Sequence, residues 1–215
     1  GIRPLKRADD ERETASISRE HAIFTAKDTQ IKSIVGGKWT TYRKMAEEVV
    51  DQFIEEGHFN ATLKGDFPRA VTEKIQLRGH KDYNPEYAKD LSRIFSVPFD
   101  VAHHLNEAYG DHSEFVLELA EETNTKNRLI PSTRKSSHPY IEAEILYTIR
   151  NEYALHPIDF LERRVRLSML DSKASKQALD KVVEVFAREL NWNDDQKAAE
   201  KKQTLQLLQI SSEEI

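Results

Sequence analysis

The hydrophobic period of this chain changes at Gly36-Gly37, and that switch limits what it can fold into. Upstream, Ile17, Ile23 and Phe24, then Ile31, Ile34 and Val35, fall in two β-like runs over 15–25 and 30–35, separated by the turn signal Lys27-Asp28-Thr29. Downstream, from Thr41 to about Glu56, Met45, Val49 and Phe53 repeat at i, i+4 and i+8, with Ala46, Val50 and Ile54 beside them. Gly57 is a natural stop for that helix. The pattern predicts a β-hairpin that runs through two glycines straight into an amphipathic helix. Such a turn aims backbone N–H groups and the positive end of a helix dipole at whatever lies above it, and Lys38 adds a full charge. Residues 34–43 therefore read as part of an anion or cofactor site.

Beyond a polar, proline-containing stretch at Asn60–Arg69 the signals are almost entirely helical. Asn84-Pro85 pairs an N-cap with proline at the first helical position and opens a helix to about Phe95. Further helices are expected over Pro98–Tyr109, stopped by Gly110, and over Ser113–Glu122. After a polar loop at Asn124–Pro139 come Tyr140–Tyr153, Pro157–Leu170, Ser172–Leu190 and Asp194–Gln209. The expected fold class is mainly α. A small α/β piece of hairpin, glycine turn and helix occupies residues 1–60, and an all-α bundle occupies 70–215.

Composition removes several classes of function. The chain has 215 residues, no cysteine and a net charge of −5. Disulfides, thiolate metal sites and cysteine nucleophiles are excluded, and nucleic acid is not an expected partner. No apolar run approaches the roughly 18 residues needed to span a bilayer. A start at Gly1-Ile2-Arg3-Pro4-Leu5, without methionine, suggests a piece of a longer protein.

The glycine turn fits neither standard nucleotide motif. A Walker A loop needs glycine where Lys32 stands and Ser or Thr where Trp39 stands, and no G-x-G-x-x-G occurs anywhere. Alone, Gly-Gly before a helix is equally an ordinary tight turn, with Lys38 and the threonines as capping and solvated charge. Arg3, Arg19 and Lys38 are three cations that could grip a phosphate if the fold brings them together. The adjacent His103 and His104 point different ways on a helix and cannot chelate one metal, so structural roles are expected and no metal site. Glu162-Arg163-Arg164-Val165-Arg166 reads as a charged helix face, with contact to a catalytic domain or acidic lipid as the lesser alternative. Leu205, Leu207, Leu208 and Ile210 read as bundle packing, with a membrane or dimer contact as the lesser alternative.

Three blocks, Gly1-Ile2-Arg3-Pro4-Leu5, Ile17-Ser18-Arg19-Glu20-His21 and the run from Gly36 to Glu47, resemble the FAD-dependent glycerol-3-phosphate dehydrogenases in order and interval. The stretches Ala143–Tyr147 and Phe160–Leu167 are similar to that family's C-terminal helical domain. The resemblance implies oxidation of glycerol 3-phosphate by hydride transfer to FAD, with electrons passing to a quinone, or to oxygen in the related oxidases. It implies Arg3, Arg19 and Lys38 as substrate-binding cations, and Gly36, Gly37, Lys38, Trp39, Thr40 and Thr41 as the cofactor-binding turn. The family's FAD-binding domain, with its glycine fingerprint, has no counterpart in this sequence. The expectation is thus a C-terminal portion that does not hold FAD alone, with a non-catalytic helical module for dimerisation or membrane docking as the alternative. It would work in a cytoplasmic enzyme peripheral to the inner face of the cell membrane, with a homodimer or a membrane surface as further partners. No catalytic residue is assigned.

Overall fold

The computed structural model describes residues 21–57, 67–133 and 137–213, with side chains as far as Leu208. It divides into two compact units, Gly1–Ile75 and Gln76–Ile215. The expected strand over 15–20 and the sequence 58–66 lie outside the described residues.

In the first unit, β1 (His21–Thr25) and β2 (Lys32–Gly36) form an antiparallel hairpin in which His21 faces Gly36 and Thr25 faces Lys32. The connection closes with Gln30 N–H on Ala26 O, and Gln30 takes a left-handed conformation. A short 3₁₀ turn, Trp39–Thr41, leads into α1 (Tyr42–Glu55), and Gly57 (φ 75°) follows its end. Lys32 joins the hairpin to α1. Its ammonium donates to Thr25 Oγ1 (2.9 Å) and Glu56 Oε1 (2.7 Å) and lies 5.2 Å from the centre of the Phe53 ring.

The apolar stripe of α1 is only half covered within this unit. Met45, Val49, Phe53 and Ile54 are partly buried, and Ala46 and Val50 are exposed. The buried residue of α1 is instead Glu47. The segment after the linker runs back along a row of carboxylates one turn apart on α1. Glu47 accepts from Thr72 Oγ1 (2.9 Å), Asp51 from Ala70 N–H (2.7 Å), and Glu55 pairs with Arg69.

The second unit is a helical bundle. Its helices are α2 (Ala88–Phe95), α3 (Phe99–Tyr109), α4 (Ser113–Glu122), α5 (Glu142–Asn151), α6 (Pro157–Leu161), α7 (Leu167–Leu170), α8 (Ser172–Glu189) and α9 (Asp194–Glu213). Asn84 caps the turn before α2 by accepting from Glu86 N–H. One apolar core joins Leu91, Leu105, Val116 and Leu117 to Ile145, Phe160, Leu179 and Phe186, and Leu208 of α9 reaches it. Leu205 packs against that core as expected of a bundle helix, while Ile210 lies beyond the described side chains.

Two glycines make one backbone crossing possible. Gly79 O accepts from Asp111 N–H (3.0 Å), and both Gly79 (φ +89°) and Gly110 (φ +59°) are left-handed. A Cβ on Gly110 would overlap Gly79 O, and one on Gly79 would overlap Tyr109 O.

The expected helix Pro157–Leu170 is two short helices separated by a loop at 162–166. The charged strip Glu162–Arg166 is therefore not a helix face. Arg164 donates to Glu152 Oε2 (3.1 Å), Glu152 O and Asp159 O (2.9 Å), and these bonds pull the chain off the helical path. Arg166 then takes a left-handed conformation before α7 begins. The expected helix Tyr140–Tyr153 starts at Glu142, because Ile141 is drawn into an extended bridge with Arg128.

Candidate functional site

The glycine turn has a definite shape. Gly36 (φ 80°) and Gly37 (φ 84°) are both left-handed, which an L side chain adopts at a cost. A Cβ on Gly37 would lie 2.7 Å from Met45 Sδ and 3.2 Å from His21 Cβ, so the turn also packs closely on α1 and β1. Lys38 is extended and does not cap the helix with its side chain. Thr41 spends its N–H and its Oγ1 on Lys38 O, each at 3.0 Å, and Tyr42 N–H goes to Trp39 O. Among the described residues this leaves the Trp39 and Thr40 N–H groups at the open end of the turn.

The turn is presented to solvent. Lys38, Trp39, Thr40 and Thr41 are all exposed, Trp39 to 88%. Its ring lies 5.8 Å from that of Tyr42 at a tilt of 33°. Of the six consecutive residues expected at a site, Lys38 to Thr41 are exposed and Gly36 and Gly37 are half-buried beside them; Arg3 and Arg19 lie outside the described residues.

Two carboxylates of α1 anchor neighbouring segments to the helix that follows the turn. His21 Nε2 meets Glu48 Oε2 at 2.6 Å and joins the start of β1 to α1 behind Gly37. Glu47 accepts from Arg43 Nη1 (2.7 Å), Lys44 Nζ (2.6 Å) and Thr72 Oγ1. The Lys44 hydrogen bond, then those from Arg43 and Thr72, hold its carboxyl down at about 2. His21 and Glu48 are 27 positions apart, and no spacing rule links them.

A second polar centre lies inside the helical unit. Glu144 of α5 is fully buried, and its Oε1 accepts from His104 Nε2 (2.7 Å) and Tyr109 Oη (3.1 Å), both on α3. Its Oε2 accepts from Ile141 N–H (2.8 Å), capping its own helix. Burial depresses the His104 pKa, but the charge and hydrogen bond of Glu144 outweigh it, and the net shift is upward. Burial, then Glu144, push the Tyr109 phenol far above its ordinary range. These groups, with Glu152 and Arg164, line a cavity of about 180 Å³.

His104 thus has the structural role expected of it, and the neighbouring His103 turns outward to Glu107. Glu144 stands 40 positions from His104, so no sequence spacing marks this carboxylate–histidine pair. Among the described residues no group of three or more His, Asp or Glu side chains could hold a metal ion.

Comparison with known proteins agrees with this architecture. The family model described as the C-terminal domain of alpha-glycerophosphate oxidase matches residues 70–197. A probable mitochondrial glycerol-3-phosphate dehydrogenase of Dictyostelium discoideum is 36% identical over 208 residues, covering 94% of this chain and 31% of its own length. The mitochondrial glycerol-3-phosphate dehydrogenase of Mus musculus is 38% identical over 200 residues, covering 93% and 26%. The chain therefore spans between a quarter and a third of the length of these relatives. The crystal structure of the glycerol-3-phosphate dehydrogenase of Bacillus halodurans, complexed with FAD, superposes with a TM-score of 0.64. It covers 87% of this chain and 36% of its own, at 24% identity, which speaks for a shared fold. With a family model accounting for more than half of its residues, this chain belongs to the family of the alpha-glycerophosphate oxidase C-terminal domain, among relatives named glycerol-3-phosphate dehydrogenases.

Proposed function

We propose that this chain is the C-terminal part of a flavoprotein that oxidises sn-glycerol 3-phosphate to dihydroxyacetone phosphate, with electrons passing on to a quinone. The observation that carries this reading is the left-handed Gly36-Gly37 turn, opening directly onto exposed Lys38, in a chain of this family. The turn suits FAD. It has no side-chain cap, and its Trp39 and Thr40 N–H groups stand where a polar ring edge could accept from them. When bound, FAD supplies the hydride acceptor. The chain's own residues orient and bind: Gly36 to Thr41 hold the flavin, and Lys38 with Arg3 and Arg19 hold the substrate phosphate, which needs cationic neighbours.

In this reading residues 1–60 complete the flavin and substrate site, and 70–215 form the accompanying helical domain. Phe24, Ile31, Ile34 and Val50 of the first unit are exposed apolar side chains, which contact with the FAD-binding part of such a protein would cover. The enzyme works as a peripheral protein at the membrane that carries its quinone. Among the described residues no helix is long and apolar enough to cross a membrane.

The matched family is described as that of an oxidase, which favours one second reading: electrons returned to oxygen as peroxide. The full-length protein loaded with FAD and given glycerol 3-phosphate separates the two. Reduction of a quinone-like dye without peroxide supports the dehydrogenase; stoichiometric peroxide supports the oxidase; neither product overturns both. Titrating FAD into the 215-residue chain tests its dependence on the remaining protein. Micromolar binding with a native flavin spectrum would show that it needs no partner.

A further inference from the structure

The helical unit holds a cleft of about 400 Å³ beside the start of α8, which the proposed chemistry does not use. Its floor is apolar, made by Ile130, Pro131 and Ala174. Space exists there because position 174 carries only a methyl group, buried at the edge of the core.

Among the described residues its polar groups are Thr133, His138, Asp171, Lys173 and Gln177. Lys173 and Gln177 lie one helical turn apart and both line the cleft. Among the described residues Lys173 enters no ion pair. The carboxylate in the cleft, Asp171, is already engaged on both oxygens. Its Oδ1 accepts from Ala174 N–H (2.9 Å) and its Oδ2 pairs with His138 Nε2 (3.2 Å). His138 is held further by its ring, stacked on Tyr140 with centroids 6.3 Å apart and planes within 11°. Among the described residues a guest therefore meets the Lys173 ammonium and the Gln177 amide, with the Thr133 hydroxyl and the His138 ring beside them, over an apolar floor with the local acid occupied. That combination selects an acceptor-bearing, anionic head on a compact apolar body.

We infer that this cleft binds a small organic carboxylate, with the carboxylate on Lys173 and Gln177 and the apolar body on Ile130, Pro131 and Ala174. Every described residue that lines the cleft belongs to the helical unit.

The test uses the 215-residue chain, followed by amide NMR, with benzoate, benzyl alcohol and inorganic phosphate as probes. Benzoate is expected to shift the Ile130, Ala174 and Gln177 amides saturably. Lys173→Glu is expected to weaken it by about ten-fold or more, the scale of losing one charge-assisted contact. Because Lys173 is exposed, that variant should retain the wild-type amide spectrum elsewhere. Benzyl alcohol, with the body but no charge, should bind at least about ten-fold more weakly than benzoate. Absence of saturable shifts overturns the inference, as does benzoate affinity unchanged by Lys173→Glu. Phosphate shifting the same amides as strongly as benzoate also overturns it, since charge alone would then account for binding.

Discussion

His104 Nε2 lies 2.7 Å from Oε1 of Glu144, a carboxylate with no exposed surface, and this contact ties α3 to α5 through the middle of the helical unit. The pair makes stability depend on pH with a definite sign. Because the His104 pKa is raised in the fold, its contribution is fully present below the ordinary histidine value of 6.5 and is lost as pH rises through the folded pKa. Thermal unfolding of the chain should therefore show a melting temperature that falls as pH is raised above that value. His104→Gln should flatten this dependence. His104→Ala, which strands a buried carboxylate, should cost about 3 kcal/mol in denaturant titrations below that pH. An unchanged pH profile in His104→Gln would detach the pair from it.

Glycine at position 110 is required for a different reason than glycine at position 37. Gly110→Ala drives a methyl group into backbone, Gly79 O, which cannot move without breaking its bond from Asp111 N–H. Gly37→Ala meets the flexible end of Met45, which can turn aside. Left-handed strain applies to both, at about 1–2 kcal/mol. Gly110→Ala should therefore cost at least about 3 kcal/mol of stability, and Gly37→Ala about 1–2 kcal/mol. Equilibrium unfolding of the two variants side by side checks the order.

The elements that were legible in the sequence are those whose cause is local. Asn84-Pro85 caps its own turn, Gly57 and Gly110 stop their own helices, and the hairpin follows from alternation around Lys27-Asp28-Thr29. The break at 162–166 was not legible, because it is made by Arg164 reaching Glu152, 12 positions away. The pairs His104–Glu144, His21–Glu48 and His138–Asp171 were equally hidden, since sequence spacing carries no trace of contacts made across the fold. Of the candidate site, Gly36 to Thr41 could be read because the chemistry of a strand-to-helix turn is contained in consecutive residues.

Lys38 can be removed without disturbing the fold, since it is exposed and does not cap the following helix. In the full-length, FAD-loaded protein, Lys38→Ala should raise KM for glycerol 3-phosphate by about ten-fold or more, with a smaller change in kcat. Arg3→Ala and Arg19→Ala should do the same if they hold the same phosphate. Unchanged KM in all three would remove them from phosphate binding.

Glu47 fastens the returning segment to α1, and its protonation should release it. Its carboxyl is held down at about 2, so its contribution is present above the ordinary value of 4.5 and is lost as pH falls toward the folded pKa. Glu47→Gln at neutral pH should reproduce the acid effect. Amide hydrogen exchange at Ala70, whose N–H is bound by Asp51 one turn along, reports both. Faster exchange in Glu47→Gln and in Asp51→Asn is the expected result, and native protection in both would mean that the segment is held by other contacts.

Tyr153 offers a substitution that should stabilise the chain. It follows α5 in a left-handed conformation (φ 55°), where Ala154 N–H turns back to Thr148 O (3.1 Å), and its side chain is 90% exposed. The ring therefore contributes almost no burial, while the backbone carries strain of about 1–2 kcal/mol that glycine would relieve. Glycine also loosens the unfolded chain, which returns roughly half of that gain. Tyr153→Gly should accordingly stabilise the helical unit by about 0.5–1 kcal/mol and raise its melting temperature by a few degrees. A lower melting temperature would mean that the tyrosine ring makes a stabilising contact despite its exposure.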